Sequence, residues 1–293
     1  MILVKVFQYS ISIILGRRPL KIHVWGGFGS QLFGLAFFHL LQKELKSRKL
    51  LLVFHSSGVT ERHLEIESLL TGIEYRVRKD FKHSQMNKIG SVQLAKLARP
   101  LERLRFIVRV ETEDDVRNIK FWTLDVRGHY SRLSISNDIL MRLFSSLRVT
   151  QRQFEASNDL VLHYRLGDLV VLDNKTYVDP QSLSPVLVGL FDASHLNENL
   201  GICLTESIVE AKEQLSKIGL SENFTYLTID PFKTILVAVE AKSFVGTNSK
   251  LSLWISIFRA HVRNRDSYLP KAIGPSVFKV IPHTDPGLIR LYD

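Results

Sequence analysis

Lys21-Ile22-His23-Val24-Trp25-Gly26-Gly27-Phe28-Gly29-Ser30-Gln31 is the stretch on which the fold class turns. An apolar run ends in three glycines, and from Ser30 to about Arg48 the residues Leu32, Leu35, Ala36, His39, Leu40 and Lys43 trace one stripe at helical spacing. After the charged stretch Lys46 to Lys49 a second apolar run follows, Leu50 to Phe54. Strand, glycine turn, helix and strand are the parts of a parallel βαβ unit, which places the chain among the α/β proteins.

The second half repeats the pattern. Strand-like runs at Leu160 to Tyr164, Ile202 to Thr205, Phe224 to Ile229, Ser243 to Gly246 and Val277 to Ile281 alternate with helical patterns at Ile208 to Ile218, Pro231 to Lys242 and Ser249 to Val262. This predicts a second doubly wound α/β domain with its ligand crevice at the carboxyl ends of the strands. With 293 residues against ~150 per domain, two domains are expected. A linker near residues 140 to 158 would divide them into residues 1–145 and 146–293. The stretch from Thr60 to Val126 is less legible.

Composition narrows the class. At 45% hydrophobic and 23% charged residues, the chain has material for a globular core. One cysteine, Cys203, allows neither an intrachain disulfide nor a thiolate metal cluster, which fits a reducing, cytoplasmic setting. The apolar start, Met1 to Gly16, is interrupted by Lys5, Gln8 and Ser10 and is short of the ~20 residues that span a bilayer. It reads equally as a surface-lying helix or a helix packed on the domain. The net charge is +10, and between Arg76 and Arg109 ten basic residues face only Asp80 and Glu102. Within that segment Leu94, Leu97, Leu101 and Leu104 recur at helical spacing among Lys96, Arg99 and Arg103, a basic amphipathic surface suited to anionic lipid headgroups. Nucleic acid phosphate or water would also suit it, although aromatics do not interleave with the basic run as stacking on bases requires.

Three loci follow strand ends, and each can hold an anion. The first is Gly26-Gly27-Phe28-Gly29-Ser30-Gln31, where glycines allow a sharp turn into a helix start. It matches neither the dinucleotide fingerprint nor the phosphate loop of nucleotide hydrolases, so taken alone it reads first as tight-turn packing. No acidic residue ends the run Leu50 to Phe54, which argues against a nicotinamide dinucleotide. The second locus is His163-Tyr164-Arg165-Leu166-Gly167-Asp168. Along a strand His163 and Arg165 point one way and Tyr164 the other. Arg165 can grip phosphate with its planar fork, and Asp168 can orient it or accept a proton. A buried histidine beside a loop salt bridge is the alternative. The third is Thr247-Asn248-Ser249, which serves equally as a helix cap or as an anion site.

In wording and order the three loci resemble the bacterial α-1,2-fucosyltransferase family. Its Gly-Gly-x-Gly-Asn-Gln-Leu-Phe opening is similar to Gly26 to Phe33, its His-x-Arg-x-Gly-Asp signature matches His163, Arg165, Gly167 and Asp168, and its Ser-Asn-Ser-x-Phe-Ser-x-Trp run looks like Thr247 to Trp254. Ser30, Leu166 and Leu253 depart from the usual Asn, Arg and Trp, and Thr205-Glu206-Ser207 stands where members often carry Ser-Asp-Asp. The resemblance implies two Rossmann-like domains facing across a cleft, the GT-B glycosyltransferase architecture. The acceptor would bind on the first domain and the donor on the second. It implies inverting transfer of L-fucose from GDP-fucose to a glycan hydroxyl, the 2-OH, in bacterial surface polysaccharide synthesis, with no metal and with Arg165 on the β-phosphate. His163, Arg165 and Asp168 would carry catalysis. Gly26, Gly27, Gly29, Gln31, Glu206, Thr247, Asn248, Ser249 and Ser252 would join His163 and Arg165 around the nucleotide sugar. Glu61 or His55 could replace Asp168 as the base, and Asp125, Arg127, His129 and Tyr130 are candidates for acceptor contacts. GDP-colitose is an alternative donor. A lipid-linked acceptor would put the enzyme on the inner face of the cytoplasmic membrane, and a basic nucleic-acid-binding protein is the alternative from another class.

Overall fold

A computed structural model describes residues 18–56, 63–79, 99–150, 159–166, 178–193, 201–273, 280 and 285–293. The chain divides into two compact units, Met1–Ile135 and Ser136–Asp293. In the first, strands β1 (Leu20–Trp25), β2 (Leu50–His55), β3 (Tyr75–Arg78), β4 (Ile107–Arg109) and β5 (Asp125–Arg127) form a sheet in the order β3-β2-β1-β5-β4, all pairs parallel. Helix α1 (Phe28–Glu44) crosses from β1 to β2 and is buried almost all round, as its Leu- and Phe-rich composition requires. It lies so close to the sheet that a Cβ on Gly34 would sit 2.4 Å from a methyl of Val24.

The second unit contains α2 (Asn137–Thr150), β6 (Leu160–His163), α3 (Pro180–Ala193), β7 (Gly201–Leu204), α4 (Ile208–Ser216), β8 (Phe224–Leu227), α5 (Pro231–Glu240), β9 (Ser243–Gly246), α6 (Lys250–Phe258), β10 (Ser267–Pro270) and β11 (Ile289–Tyr292). Its sheet is also parallel, in the order β11-β10-β9-β6-β7-β8. β6 is buried along its whole length, as a central strand covered on both faces must be. From β6 the chain winds outward through β7 and β8, then returns to start again at β9. The winding direction therefore reverses between β6 and β9, where open α/β sheets leave a crevice.

Two expectations concern the limits of the second unit. The proposed linker begins inside α2, whose Leu140, Leu143, Phe144 and Leu147 are buried at helical spacing, with Phe144 5.1 Å from Phe258. That places the boundary at 135/136 instead of 145/146. The strand expected over 277–281 falls outside the described residues except for Val280, which is buried and helical; β10 and β11 supply that side of the sheet.

Arg259, fully buried, holds the second unit together at one end. Its guanidinium donates to the carbonyls of Ala238 (2.7 Å), Ala241 (2.7 Å), Lys242 (2.9 Å) and Asp266 (2.8 Å). These are carbonyls that α5 leaves unsatisfied at its end and the one that enters β10. Burial, then the nearby Arg265, pushes its pKa down to about 10, so the cation persists at neutral pH. Arg259→Met would strand several buried carbonyls at once and is expected to cost about 3 kcal/mol, read as a lower urea midpoint at an unchanged slope.

Candidate active site

At the reversal point the tip of β6 and the entrance to α6 are bonded directly. The Thr247 hydroxyl donates to the His163 carbonyl (3.0 Å) and accepts from the Arg165 amide (2.9 Å), and the Thr247 amide also bonds the His163 carbonyl (3.2 Å). Ser249 caps α6, accepting from the Ser252 amide at 3.0 Å. A Cβ on Gly246 would come within 2.7 Å of Ser252 Cβ, so glycine is needed for α6 to start this close to β9. These contacts bring Arg165, Asn248 and the amino end of α6 to one edge of one sheet. From β7 the loop Thr205-Glu206-Ser207 joins them, with Glu206 Oε1 2.9 Å from Arg165 Nε.

The residues singled out from the sequence thus divide by what their polar atoms touch. Arg165, Asn248 and Glu206 are partly or fully solvent-facing. Thr247, Ser249 and Ser252 are buried and spend their hydroxyls inside the protein, Ser252 meeting both Ser249 (3.3 Å) and His163 Nδ1 (2.7 Å). In this arrangement they hold the β6 tip to the entrance of α6. Tyr164 points into the core, its hydroxyl on the Val178 carbonyl, as strand alternation predicts. Gly167 and Asp168 lie outside the described residues.

His163 is likewise interior. Burial, reinforced by the Arg165 charge, pushes its pKa down to about 3, so the ring is neutral and is no proton donor at neutral pH. The ring fixes the β6 tip against Ser252.

In the first unit the glycine turn does structural work. Gly26 takes a positive φ of 94°, open to glycine and few others, whereas Gly27 is extended and Gly29 lies within α1. Gln31 is buried, and its amide is saturated. It donates to the carbonyls of Gly26 (3.1 Å) and His63 (2.8 Å) and accepts from the amides of Glu65 (2.9 Å) and Ile66 (3.3 Å). It has no hydrogen-bonding group left for a nucleotide.

Opposite the α1 face, the same sheet carries a polar chain of which the sequence offered His55 and Asp125 separately and not His23 or the link between them. His23 Nε2 is 2.8 Å from Asp125 Oδ1, and His23 Nδ1 is 2.8 Å from His55 Nε2. Trp25 stacks on His55 at 4.4 Å. Burial lowers the His23 pKa, partly offset by Asp125. Burial tends to raise that of Asp125, but the His23 hydrogen bond and the Lys21 and Arg127 charges hold it below the usual range. A neutral His23 donating to an ionised Asp125 must accept from His55, so both rings carry their proton on Nε2. Of the acceptor candidates, Asp125 belongs to this chain. The Tyr130 hydroxyl donates to the carbonyls of His23 and Val126 inside the core, and His129 is exposed. Glu61 lies outside the described residues.

The neutral His163 ties stability to pH. Below about pH 6.5 the unfolded chain binds a proton that the native ring refuses down to about pH 3, so stability falls with acidification across that window. The slope attached to this ring is about 1.4 kcal/mol per pH unit. His163→Gln is expected to flatten the acid limb of urea-midpoint curves between pH 6 and 4; an unchanged limb would contradict a buried neutral ring.

No family model matches the sequence, and no curated protein matches it at the sequence level. Among solved structures the chain is similar to the Escherichia coli heptosyltransferase WaaC with ADP (10% identity, 93% of this chain and 92% of that one, TM-score 0.47). It is also similar to a putative UDP-N-acetylglucosamine 2-epimerase from Listeria monocytogenes (10%, 86% and 79%, 0.46) and to the fucosyltransferase NodZ from Bradyrhizobium (12%, 83% and 94%, 0.41).

Proposed function

We propose that the chain is an inverting glycosyltransferase that moves a 6-deoxy sugar, L-fucose, from a GDP-sugar to a glycan hydroxyl, the 2-OH. The supporting observation is the bond from the Arg165 amide to the Thr247 hydroxyl, which ties the backbone that carries this guanidinium to the residue before Asn248, at the entrance to α6 and the sheet's reversal point. As the glycosidic C–O bond breaks, negative charge gathers on the departing diphosphate and the sugar becomes oxocarbenium-like. A fixed cation and helix-end amides aimed at that charge stabilise the transition state more than the bound donor. Arg165 supplies the charge that a divalent ion would otherwise bring, since no Asp-x-Asp pair flanks these motifs. Asp168, three residues on, is the proposed acceptor of the hydroxyl proton. GDP-colitose would make the same phosphate contacts.

Arg165→Ala is expected to cut both donor hydrolysis and transfer about 10²- to 10³-fold. Wild-type activity should persist in EDTA. Turnover of both reactions at the wild-type rate in Arg165→Ala, or full dependence on added Mn²⁺, would defeat the scheme.

The acceptor side of the proposal places the enzyme at the cytoplasmic face of a membrane that carries a lipid-linked glycan. No helix among the described residues is long and apolar enough to cross a membrane. Its support is the exposed ridge where Leu101 and Leu104 stand among Arg99, Arg103 and Arg105, with Phe121 also exposed; the remainder of the basic segment lies outside the described residues. Each basic side chain near an anionic surface contributes about 1 kcal/mol. Neutralising Arg99, Arg103 and Arg105 is expected to shift the protein from the pellet to the supernatant in sedimentation with phosphatidylserine liposomes; equal recovery in the pellet would dispose of the docking surface.

A further inference from the structure

We infer that Glu206 is a positioning residue for the diphosphate grip: its carboxylate holds Arg165 by the Nε edge and is itself anchored by the chain that carries Arg165. The inference rests on the donor-site reading above and adds a role for a residue that resemblance would put among the nucleotide-sugar contacts. Oε1 lies 2.9 Å from Arg165 Nε, and Oε2 accepts from the Leu166 amide at 3.3 Å. One carboxylate therefore spans a guanidinium and the next backbone N–H of the same loop, two contacts that fix its distance and its tilt.

Its own backbone is fixed as well. On one side the Thr205 carbonyl accepts from the Thr228 hydroxyl (2.8 Å); on the other the Ser207 amide donates to the Thr205 hydroxyl (3.2 Å). Glu206 is thus a stiff strut from the β7 tip to the β6 tip. A guanidinium offers donors along two edges, and a carboxylate gripping Nε sits to the side of the terminal fork that takes phosphate oxygens two at a time. An anion merely filling an empty site would take that fork head-on. One oxygen of the carboxylate is turned to the guanidinium and the other to the Leu166 amide. The exposed setting of the pair makes it a weak source of stability, so what it supplies is orientation.

The test compares Glu206→Gln with wild type and Arg165→Ala in steady-state kinetics with GDP-fucose, alongside the ¹⁵N resonance of the Arg165 Nε–H. Glutamine keeps the size and an acceptor for the Leu166 amide but gives up the charge on Nε. Misorienting a group that acts in the transition state lowers kcat, and we expect a fall of about 10- to 100-fold with KM changed less than about threefold. The Nε–H resonance should be sharp and downfield in wild type, stay so when GDP saturates the site, and broaden in Glu206→Gln. A raised KM at unchanged kcat would make Glu206 a base reader. A lowered KM, or loss of the wild-type Nε–H signal on adding GDP, would make it a competitor for the phosphate; either result overturns the inference. If Glu206→Gln matches wild type while Arg165→Ala is inactive, the strut alone fails. If Arg165→Ala also matches wild type, the donor-site reading beneath it fails.

Discussion

One hydroxyl ties the second unit's chemistry to its fold. Thr247 donates to the last carbonyl of β6 and accepts from the Arg165 amide, so the strand tip and the helix entrance cannot move apart without breaking both bonds. Around it the packing is close enough to demand glycine at position 246 and small hydroxyl side chains at 249 and 252. The polar groups that look most like ligand contacts in the sequence are therefore mostly the joinery. What they hold in place is a short crest of partly exposed groups, Arg165, Asn248 and Glu206.

That division explains what could be read in advance. The α/β class and both parallel sheets were legible because buried strands of such sheets are continuous apolar runs, bounded here by glycine and hydroxyl residues at Gly26, Gly246 and Thr247. The placing of the candidate loci at strand ends was legible for the same reason. Which way each side chain points was less so, since Ser252 or Gln31 can serve a ligand or a neighbouring carbonyl with equal chemistry and only packing decides. The strands β3, β4, β5, β10 and β11 escaped because they are short and most are interrupted by polar residues, as in Tyr75-Arg76-Val77-Arg78 and Asp125-Val126-Arg127, whereas a strand as short as β6 is a continuous apolar run. Helix α2 was passed over for its polar opening, Asn137-Asp138, although its apolar spacing was present.

The linkage of His23 to His55 and Asp125 had no signal in one dimension, although His55 and Asp125 stood out singly. Its members are separated by 32 and 102 residues, and His23 and His55 sit inside apolar runs where a histidine looks like an exception. Parallel pairing sets Lys21 opposite Asp125 and Trp25 opposite His55, so one face of the sheet gathers polar and aromatic side chains while the other stays apolar against α1. The polar face survives burial because each ring nitrogen that bonds within the chain has a complementary partner, and an ionised Asp125 fixes the direction of every proton in it.

Arg259 has a consequence for how the second unit breathes. Its donors reach the terminal carbonyls of α5 and the residue that leads into β10, while its own backbone continues α6 through a π-helical turn. Fraying of any one of these three segments exposes a cation whose remaining partners are still buried, so partial opening is penalised and they are released as a single cooperative block. In hydrogen–deuterium exchange this appears as amides of α5, α6 and β10 sharing one opening free energy, a slow hinge-free region bordering the more exposed loop that bears Glu206.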